Sequence, residues 1–275
     1  MNIKSNLFAA FLALAIINPS YGEDTPIASK PASSSHADLA KQATNPLAPL
    51  IQFQVQNYFI FDSIDSNDYA NQFIVQPVIP ISATSMLPRA IFRPTIPIVT
   101  SPDVIGGPSG TTGLGDISGV YVFAFDQDWG SFGVGPAGAI PSATDLRVGA
   151  RKWTLGPALF GMYTKIPKVQ IGGLAFNTWA VGGGGPNDVN SLSIQPIFNY
   201  HFGEGWYTGW GDQAISFNWV NGTNYIPLST RLGKVFSIGE QKVNMNGQMI
   251  YNVGDHVSGK DQWGFKLTVT LLFPE

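Results

Sequence analysis

The sequence predicts an all-β fold, a transmembrane, antiparallel, up-and-down β-barrel of about twelve strands with both termini in the periplasm. Three observations support this prediction. Blocks of alternating apolar and polar residues recur from residue 49 onward, and few of the polar positions hold charged residues. The gaps between the blocks mostly alternate between long and short. This combination is typical of outer-membrane barrels, whose strands present one face to lipid and the other to a polar lumen.

The composition excludes several other classes of protein. Only 12% of the 275 residues are charged, although 44% are hydrophobic, whereas a soluble domain has about 25% charged residues. The absence of cysteine excludes a disulfide scaffold and a cysteine-ligated metal centre. A net charge of −3 without any basic run disfavours a nucleic-acid partner. Beyond the N-terminus, no apolar run approaches the roughly 18 residues of a membrane-spanning helix.

The N-terminus predicts a signal peptide over residues 1–22. Lys4 supplies a positive charge, residues 7–17 are apolar, and Ser20 and Gly22 are small residues at positions −3 and −1 of a cleavage site. The apolar stretch is too short for a membrane-spanning helix, which needs about 20 residues. Residues 23–45, rich in Ala, Ser and Pro, predict a flexible leader in which residues 37–43 suit a short helix. The barrel is predicted over residues 46–275.

Twelve blocks predict the barrel strands in order. The last is the clearest, because every second residue from Trp263 to Phe273 is apolar and Lys266, Thr268 and Thr270 lie between them. A period of two predicts a strand with two unlike faces. The blocks cover residues 49–61, 70–82, 88–100, 115–126, 131–141, 152–163, 167–181, 190–202, 205–219, 224–236, 241–253 and 262–273.

The gaps between these blocks predict the orientation of the barrel. Short periplasmic turns and longer outside loops are expected when both termini are periplasmic and the strand number is even. The gap at residues 220–223 is a short outside connection, and gaps such as 127–130, 164–166 and 203–204 predict tight turns. The long gaps are residues 62–69, 101–114, 142–151, 182–189 and 254–261.

The residues on the two faces distinguish a membrane barrel from a soluble β-sandwich. The polar face of a soluble sandwich meets water and usually carries many charges, but here it consists of Gln, Asn, Ser, Thr and Gly. Aromatic residues near strand ends suit two interfacial girdles, although packing in a sandwich core is the alternative. These aromatic residues are Tyr58, Phe59, Phe61, Trp129, Trp153, Tyr163, Trp179, Tyr200, Phe202, Trp206, Tyr207, Trp219, Trp263 and Phe273.

Proline is the feature that fits this strand assignment least well. Each proline removes a ladder hydrogen bond, and a closed barrel has no edge strand to accommodate it. Bulges and local bends are therefore expected at the prolines. Those inside predicted strands are Pro77, Pro80, Pro94, Pro97, Pro136, Pro157 and Pro196.

Eight short motifs lie in order along the body of the chain. They are ATNPLAPL (43–50), YANQFIVQPVIPI (69–81), TTGLGD (111–116), GVGP (133–136), PSAT (141–144), KWTLGP (152–157), QPIFNY (195–200) and GEGWY (203–207). With these motifs the chain resembles a family of Gram-negative outer-membrane barrel proteins, described as transporters or as proteins of the meta-pathway of phenol degradation. The resemblance covers roughly residues 43–273 and implies an outer-membrane barrel, while the family's functional label rests on genomic context and not on a known reaction. One departure is that Pro274 and Glu275 follow Phe273, whereas many such barrels end on an aromatic residue.

Three cations are predicted on inward faces of the strands: Arg93, Arg231 and Lys266. They bias a pore toward anions or acidic aromatics if they are free, and they brace the interior if they pair with Asp116 or with loop carboxylates. Of the two alternatives, bracing is favoured, because interior charges are usually paired. The other predicted lumen-lining residues are Gln195, Asn199 and His201.

No catalytic, cofactor-binding or metal-binding residues are predicted, and the protein is not expected to be an enzyme. His201 is the only histidine inside a predicted strand, and Ser193 lies eight residues away, too far for contact at about 3.3 Å per residue. The sequence also has no Gly-x-Ser-x-Gly motif.

The favoured function is that of a passive outer-membrane channel or transporter for small, aromatic or hydrophobic molecules. A non-transporting structural or surface-interaction barrel is the alternative, and a lipid-hydrolysing barrel is the third and weakest candidate. The expected partners are outer-membrane lipids, the barrel assembly machinery and a small-molecule solute, with no nucleic acid and no cofactor. The expected location is the bacterial outer membrane.

Overall fold

A computed structural model of the chain describes residues 35–274. The predicted signal peptide and residues 23–34 of the predicted leader lie outside the described residues. The described chain contains one helix, α1 (His36–Ala43), followed by fifteen strands. The strands are β1 (Ile51–Ser63), β2 (Ala70–Ile81), β3 (Ala90–Ser101), β4 (Thr111–Leu114), β5 (Ser118–Gln127), β6 (Gly130–Ala139), β7 (Trp153–Tyr163), β8 (Val169–Gly182), β9 (Asn190–Gly203), β10 (Trp206–Gly209), β11 (Ile215–Asn218), β12 (Thr223–Tyr225), β13 (Pro227–Ile238), β14 (Gln241–Asn252) and β15 (Asp261–Phe273).

The strands form one closed antiparallel sheet, because β10 pairs with β9 on one side and with β13 on the other. Three barrel positions are each shared by two successive strands. β4 and β5 both pair with β3, and β10 and β11 both pair with β9. In the same way, β12 pairs with β11 and β13 pairs with β10, so that β12 and β13 share one position. Fifteen strands therefore fill 15 − 3 = 12 positions, and the predicted twelve-stranded barrel is confirmed.

The first and last strands pair with each other, with Ile51 opposite Phe273. We call the end of the barrel that carries this pair the lower end and the opposite end the upper end. The connections at the upper end are residues 64–69, 102–110, 140–152, 183–189, 219–222 and 253–260, and those at the lower end are 82–89, 128–129, 164–168, 204–205 and 239–240.

The bulges expected at the prolines occur at only some of them. The pairing shifts by one residue across the break between β4 and β5, opposite Pro97, and across the break between β10 and β11, opposite Pro196. At the other prolines inside strands the register is continuous. Between β7 and β8, for example, Leu155 is opposite Trp179 before Pro157, and Ala158 is opposite Phe176 after it, so the register is unchanged. The same holds across the unpaired stretches between β2 and β3 and between β5 and β6. Each such proline therefore interrupts the ladder locally while the hydrogen bonds on either side hold the alignment.

The outer surface of the barrel is apolar and much of its interior is polar, which inverts the usual order of a soluble protein. Part of the inner wall from β2 to β9 is apolar and includes Val78, Ile91 and Phe160. Along β15, Lys266, Thr268 and Thr270 are buried, whereas Leu267 and Phe273 are exposed. Leu159 and Leu232 are exposed by 61% and 54% on other strands. An apolar surface of this extent cannot remain in water, so the period of two divides each strand between a lumen and a lipid-facing surface.

Aromatic side chains cluster at both ends of this apolar surface, where amphipathic rings meet the membrane–water interface. Two of the predicted girdle residues, Tyr58 and Tyr207, instead point into the barrel and are fully buried. Strand alternation places them inside, where the Tyr207 hydroxyl donates to Asn244 at 2.8 Å. The exposed rings are Phe61, Trp153, Trp179, Trp219 and Trp263 near the upper end, and Trp129, Tyr163, Tyr200, Phe202, Trp206 and Phe273 near the lower end.

Among residues 35–274, no helix is long and apolar enough to cross a membrane.

Candidate functional site

The lower half of the lumen is occupied by the chain segment that precedes β1. We call residues 35–50 the plug. Its helix, α1, begins at Ser35, whose side chain accepts a hydrogen bond from the Asp38 backbone N–H, and Asp38 and Lys41 match the helix dipole. Leu39 and Ala40 of the plug pack against buried Tyr207. Part of the predicted leader is therefore an ordered helix, because the barrel wall buries its apolar residues.

The apolar contacts of the plug form two clusters on the inner wall. Leu39, Ala40, Ala48 and Leu50 join side chains from β10, β13 and β15. Leu47 enters a second cluster, supplied by strands from β2 to β9. The wall residues of the two clusters are Tyr207, Val235 and Leu272, and Val78, Ile91, Val120, Val122, Ala124, Ala137, Ala158, Phe160, Met162, Leu174 and Ile197.

Hydrogen bonds fix the turn of the plug that follows α1. Thr44 Oγ1 lies 2.7 Å from both the Ala40 carbonyl oxygen and Gln170 Oε1, and Gln170 Nε2 donates to the Lys41 carbonyl at 2.9 Å. Arg89 Nη1 donates to the Leu47 carbonyl at 2.7 Å. These bonds satisfy backbone groups that would otherwise be buried without partners.

Above the plug, three cavities follow one another toward the upper end. The lower cavity, about 70 Å³, is lined partly by Ala43, Thr44 and Pro46 of the plug. The middle cavity is about 280 Å³ and shares Arg93 and Gln195 with the lower one. The upper cavity is about 390 Å³. The three cavities therefore lie in series inside the lumen above the plug, and neighbouring cavities share lining residues.

The upper cavity is lined mainly by amides and hydroxyls. Asn218, Asn224 and Asn252 are among its walls. The hydroxyls of Tyr58 and Tyr225 both donate to Asp261 Oδ2, the second at 2.5 Å. Such groups bind water and polar solutes. The charged residues of this lining are Lys260, Asp255 and Asp261, so its formal charge is 1 − 2 = −1.

The middle cavity has both polar and apolar lining residues. Gln76, Arg93 and Lys266 are polar, whereas Val120 and Phe176 form an apolar side that adjoins Arg93, because Arg93 and Val120 are opposite each other on neighbouring strands. A cavity close to the lower size limit of small-molecule sites, roughly 300 Å³, can therefore contact a polar group and an apolar body together.

A short segment between β10 and β11, residues 210–214, crosses the inner face of the barrel beside this cavity. The Gly211 N–H donates to Ser229 Oγ at 3.1 Å, and the Asp212 carbonyl accepts from Gln195 Nε2 at 2.8 Å. A Cβ at Gly211 would lie 2.4 Å from Ser229 Oγ and from Gln248 Oε1. Only glycine allows so close an approach, and the segment brings the Asp212 carboxylate into the lumen.

Asp212 and Lys266 form an ion pair inside the lumen. Lys266 Nζ donates to Asp212 Oδ1, and Gln248 Nε2 donates to the same oxygen at 2.9 Å. The side chain of Lys266 is 4% exposed, so this pair holds a buried ammonium group. The favoured alternative of bracing thus describes Lys266, whose partner is not Asp116 but Asp212, a carboxylate in the connecting segment between β10 and β11.

The other predicted lumen-lining residues fall in three places. Arg93, Arg231 and Gln195 line the lower cavity. Asn199 and His201 are buried beside the plug, where His201 Nε2 lies 3.2 Å from Gln170 Oε1. Asp116 lines none of the three cavities described above.

The carboxylate of Asp116 forms hydrogen bonds near the upper end of the barrel wall. It accepts the backbone N–H groups of Ala143 and Arg151 at 3.1 and 2.9 Å. Asp116 therefore anchors the connection at residues 140–152, which lies beside the break between β4 and β5.

Asp212 and Tyr207 were not predicted to lie in the lumen, and the sequence left open whether the predicted leader plugs it. One signal for Asp212 was present, since the alternating pattern of its block breaks at residues 209–213 (GWGDQ). For the described residues, no hydrogen bond joins His201 to a serine, and no group of three or more His, Asp or Glu side chains could hold a metal ion.

A closed barrel with an apolar outer surface and a polar lumen defines the class of transmembrane β-barrels of the outer-membrane type. One solved structure supports this fold. The structure is similar to the crystal structure of an outer membrane channel from Pseudomonas putida F1, with a TM-score of 0.60, 14% sequence identity, and coverage of 82% of this chain and 96% of that chain.

A second solved structure, OmpT, an outer membrane protein of Vibrio cholerae in its trimer form, gives a TM-score of 0.34 at 9% identity, covering 82% of this chain and 98% of that one. A score that low does not establish a shared fold. No family model matches the chain, and no curated protein matches it.

Proposed function

We propose that this protein is an outer-membrane channel through which small molecules diffuse passively. The observation that carries the proposal is the series of three cavities from the upper end to the plug, in which neighbouring cavities share lining residues. The similar protein from Pseudomonas putida F1 is described as a channel, which supports this function. The lower end of the barrel would face the periplasm and the upper end the outside.

The proposed solutes are small molecules with an aromatic or otherwise apolar body. The apolar side of the middle cavity, with Val120 and Phe176, supports this class, as does the resemblance to barrels of the phenol meta-pathway type. Outer-membrane lipids would cover the apolar belt. The barrel assembly machinery would insert the chain, with Phe273 near its end as the displaced assembly signal.

Solutes can pass through the barrel only if the plug moves out of the lower lumen. The plug lies before β1 and contributes no strand to the sheet, so it can leave the lumen without breaking a ladder hydrogen bond. Its contacts are one apolar cluster, one inserted leucine and a few hydrogen bonds. Local openings of this size cost less than unfolding of the whole molecule.

The test is a reversible covalent lock on the plug, with solute entry into liposomes as the readout. His36 Nε2 lies 2.8 Å from Ser237 Oγ, and the chain has no native cysteine. A short, reducible thiol-to-thiol reagent, which spans the space left by the histidine ring, can therefore join His36→Cys to Ser237→Cys specifically. We expect the locked protein to admit para-fluorobenzyl alcohol no faster than empty liposomes, and the reduced protein to admit it rapidly.

Each single-cysteine variant, treated with the same reagent, is the matched control and should behave like the unmodified protein. Equal entry before and after locking would show that solutes do not pass the plug.

The closure of the lower lumen by the plug also supports the second candidate function, a non-transporting structural or surface-interaction barrel. The same experiment separates the two functions. If the reduced protein admits no solute faster than empty liposomes, the channel proposal fails and the structural role is favoured.

A further inference from the structure

Two of the three luminal cations, Arg93 and Arg231, have no carboxylate partner among residues 35–274. Arg93 Nη2 donates to the Gln195 amide oxygen at 3.3 Å, and Arg231 Nη2 donates to the Asn199 amide oxygen. Both acceptors are neutral. With Asp212 as the single carboxylate in the described lining of the lower and middle cavities, the formal charge there is 3 − 1 = +2.

Most of the hydrogen-bond donors on these two guanidinium groups remain available. A guanidinium has five N–H donors, and each of the two side chains uses one of its own on a described acceptor. Arg231 Nε is buried and has no partner in the described part of the chain. A desolvated cation without a counter-charge is costly, and a carboxylate can accept two parallel N–H bonds from one guanidinium.

The two arginines come from β3 and β13, and both line the lower cavity together with the plug. Arg93 also lines the middle cavity, beside the apolar side formed by Val120, Ala137 and Phe176, because Arg93 and Val120 are opposite each other on neighbouring strands. A neutral apolar ligand would leave the guanidinium groups uncompensated. A small inorganic anion would leave the apolar side uncovered.

We propose that the middle of the lumen binds small carboxylates that carry an apolar body, with benzoate as the simplest example. The carboxylate accepts hydrogen bonds from Arg93 and Arg231, and the ring lies against Val120 and Phe176. Binding selects the solute that the channel passes, so the role of the site in selectivity rests on the proposed function, whereas binding itself does not require passage.

The test measures binding of para-fluorobenzoate to the full chain in detergent by fluorine NMR line broadening. Arg93→Gln/Arg231→Gln removes both guanidinium groups. The matched control is Lys165→Gln/Lys168→Gln, which removes the same two charges from exposed side chains of the connection at residues 164–168. Heat-modifiable migration on a denaturing gel shows whether each variant is folded.

We expect saturable binding of para-fluorobenzoate by the unmodified protein and the control. The double arginine variant should bind at least about ten-fold more weakly, as expected for the loss of one or two charge-assisted hydrogen bonds. Undiminished binding by the folded double variant would overturn the proposal. A second measurement needs no variant: the unmodified protein should prefer para-fluorobenzoate to neutral para-fluorobenzyl alcohol, and equal affinity for the two would also overturn it.

Failure of this site and failure of the channel are distinguishable. Binding of para-fluorobenzoate without entry into liposomes would support the site and contradict the proposed function. Entry of both fluorinated solutes at one rate, with no preferential binding of the acid, would contradict the site and leave the channel supported.

Discussion

At the scale of single residues, the ion pair of Lys266 and Asp212 compensates two opposite charges inside the lumen. Each partner lies inside the barrel, and Gln248 donates to the same carboxylate oxygen that Lys266 contacts. Removal of one partner of a buried ion pair leaves the other charge uncompensated, which is more costly than removal of both. The pair therefore behaves as one unit in its effect on stability.

Lys266→Met should destabilise the barrel by about 2 kcal/mol, in the range of a lost hydrogen bond to a charged group and reduced by lumen water. Lys266→Met/Asp212→Asn should recover part of that loss, because no charge is then left without a partner. Unfolding of the detergent-solubilised protein in urea measures both changes. Equal destabilisation by the single and double variants would contradict the ion pair as a stabilising unit.

A second residue pair acts in the upper connection formed by residues 140–152. Arg147 Nε and Nη2 each donate to the Asp145 carboxylate at 2.8 Å, and Arg147 Nη1 donates to the Ser109 carbonyl at 2.8 Å in the neighbouring connection. The hydrogen bonds from the Arg147 side chain and backbone hold the pKa of Asp145 well below its usual range.

This lowered pKa sets the direction of the pH effect. The stabilising contribution is complete above the ordinary pKa of an aspartate, about 4, and is lost only as the pH falls through the lowered value. We expect the connection to resist pepsin at about pH 4 and to be cleaved faster toward about pH 2. Asp145→Asn should be cleaved rapidly at both values, and a pH response unchanged by this substitution would rule out the pair as its cause.

At the scale of elements, the plug is held mainly by apolar burial of one face of α1. Leu39 is fully buried, whereas Lys41, two residues further on and therefore on the opposite side of the helix, is exposed. A polar group placed at Leu39 loses its apolar contacts and buries an amide without a partner, at a cost of about 2–5 kcal/mol. That cost falls on docking of the plug, because the sheet closes without it.

Leu39→Asn should therefore speed entry of para-fluorobenzyl alcohol into liposomes, while heat-modifiable migration of the barrel is retained. Lys41→Gln on the exposed side of α1 is the control and should leave the rate unchanged. A rate that Leu39→Asn does not alter would mean that docking of α1 does not limit passage.

The elements also show what the sequence could reveal. The strands were predictable because lipid on one side and a lumen on the other impose a period of two, as along Trp263 to Phe273. The position of the plug was not predictable, because the residues that Leu39 and Leu47 contact lie on strands far away in the sequence. Asp212 was missed because its inward path depends on close contacts at Gly211 that only the folded barrel creates.

The sequence predicted which cations face the lumen, but it did not predict the residues with which each of them pairs. Arg93, Arg231 and Lys266 follow from strand alternation. Their partners depend on which strands meet across the barrel and on the segment at residues 210–214. Alternation alone could not show that Lys266 has a carboxylate partner while the described partners of Arg93 and Arg231 are amides.

At the scale of the whole molecule, the two rings of exposed aromatic residues define where the membrane surfaces should lie. Six of the seven tryptophans, Trp129, Trp153, Trp179, Trp206, Trp219 and Trp263, are exposed near one end of the barrel or the other. At the lower end, Lys234 Nζ lies 4.8 Å from the centre of the Trp206 ring, a cation–π contact that suits the boundary between lipid and water.

This arrangement predicts the depth of the tryptophans in a bilayer. Bromine quenches tryptophan fluorescence at short range, so lipids brominated near the headgroup should quench the reconstituted protein more strongly than lipids brominated near the bilayer centre. The reason is that interfacial indole rings lie at headgroup depth, about 15 Å from the bilayer centre. Lipids without bromine, at the same protein-to-lipid ratio, provide the reference intensity. Stronger quenching from the bilayer centre would contradict the two girdles, and the absence of quenching from either depth would show that lipid does not cover the apolar surface.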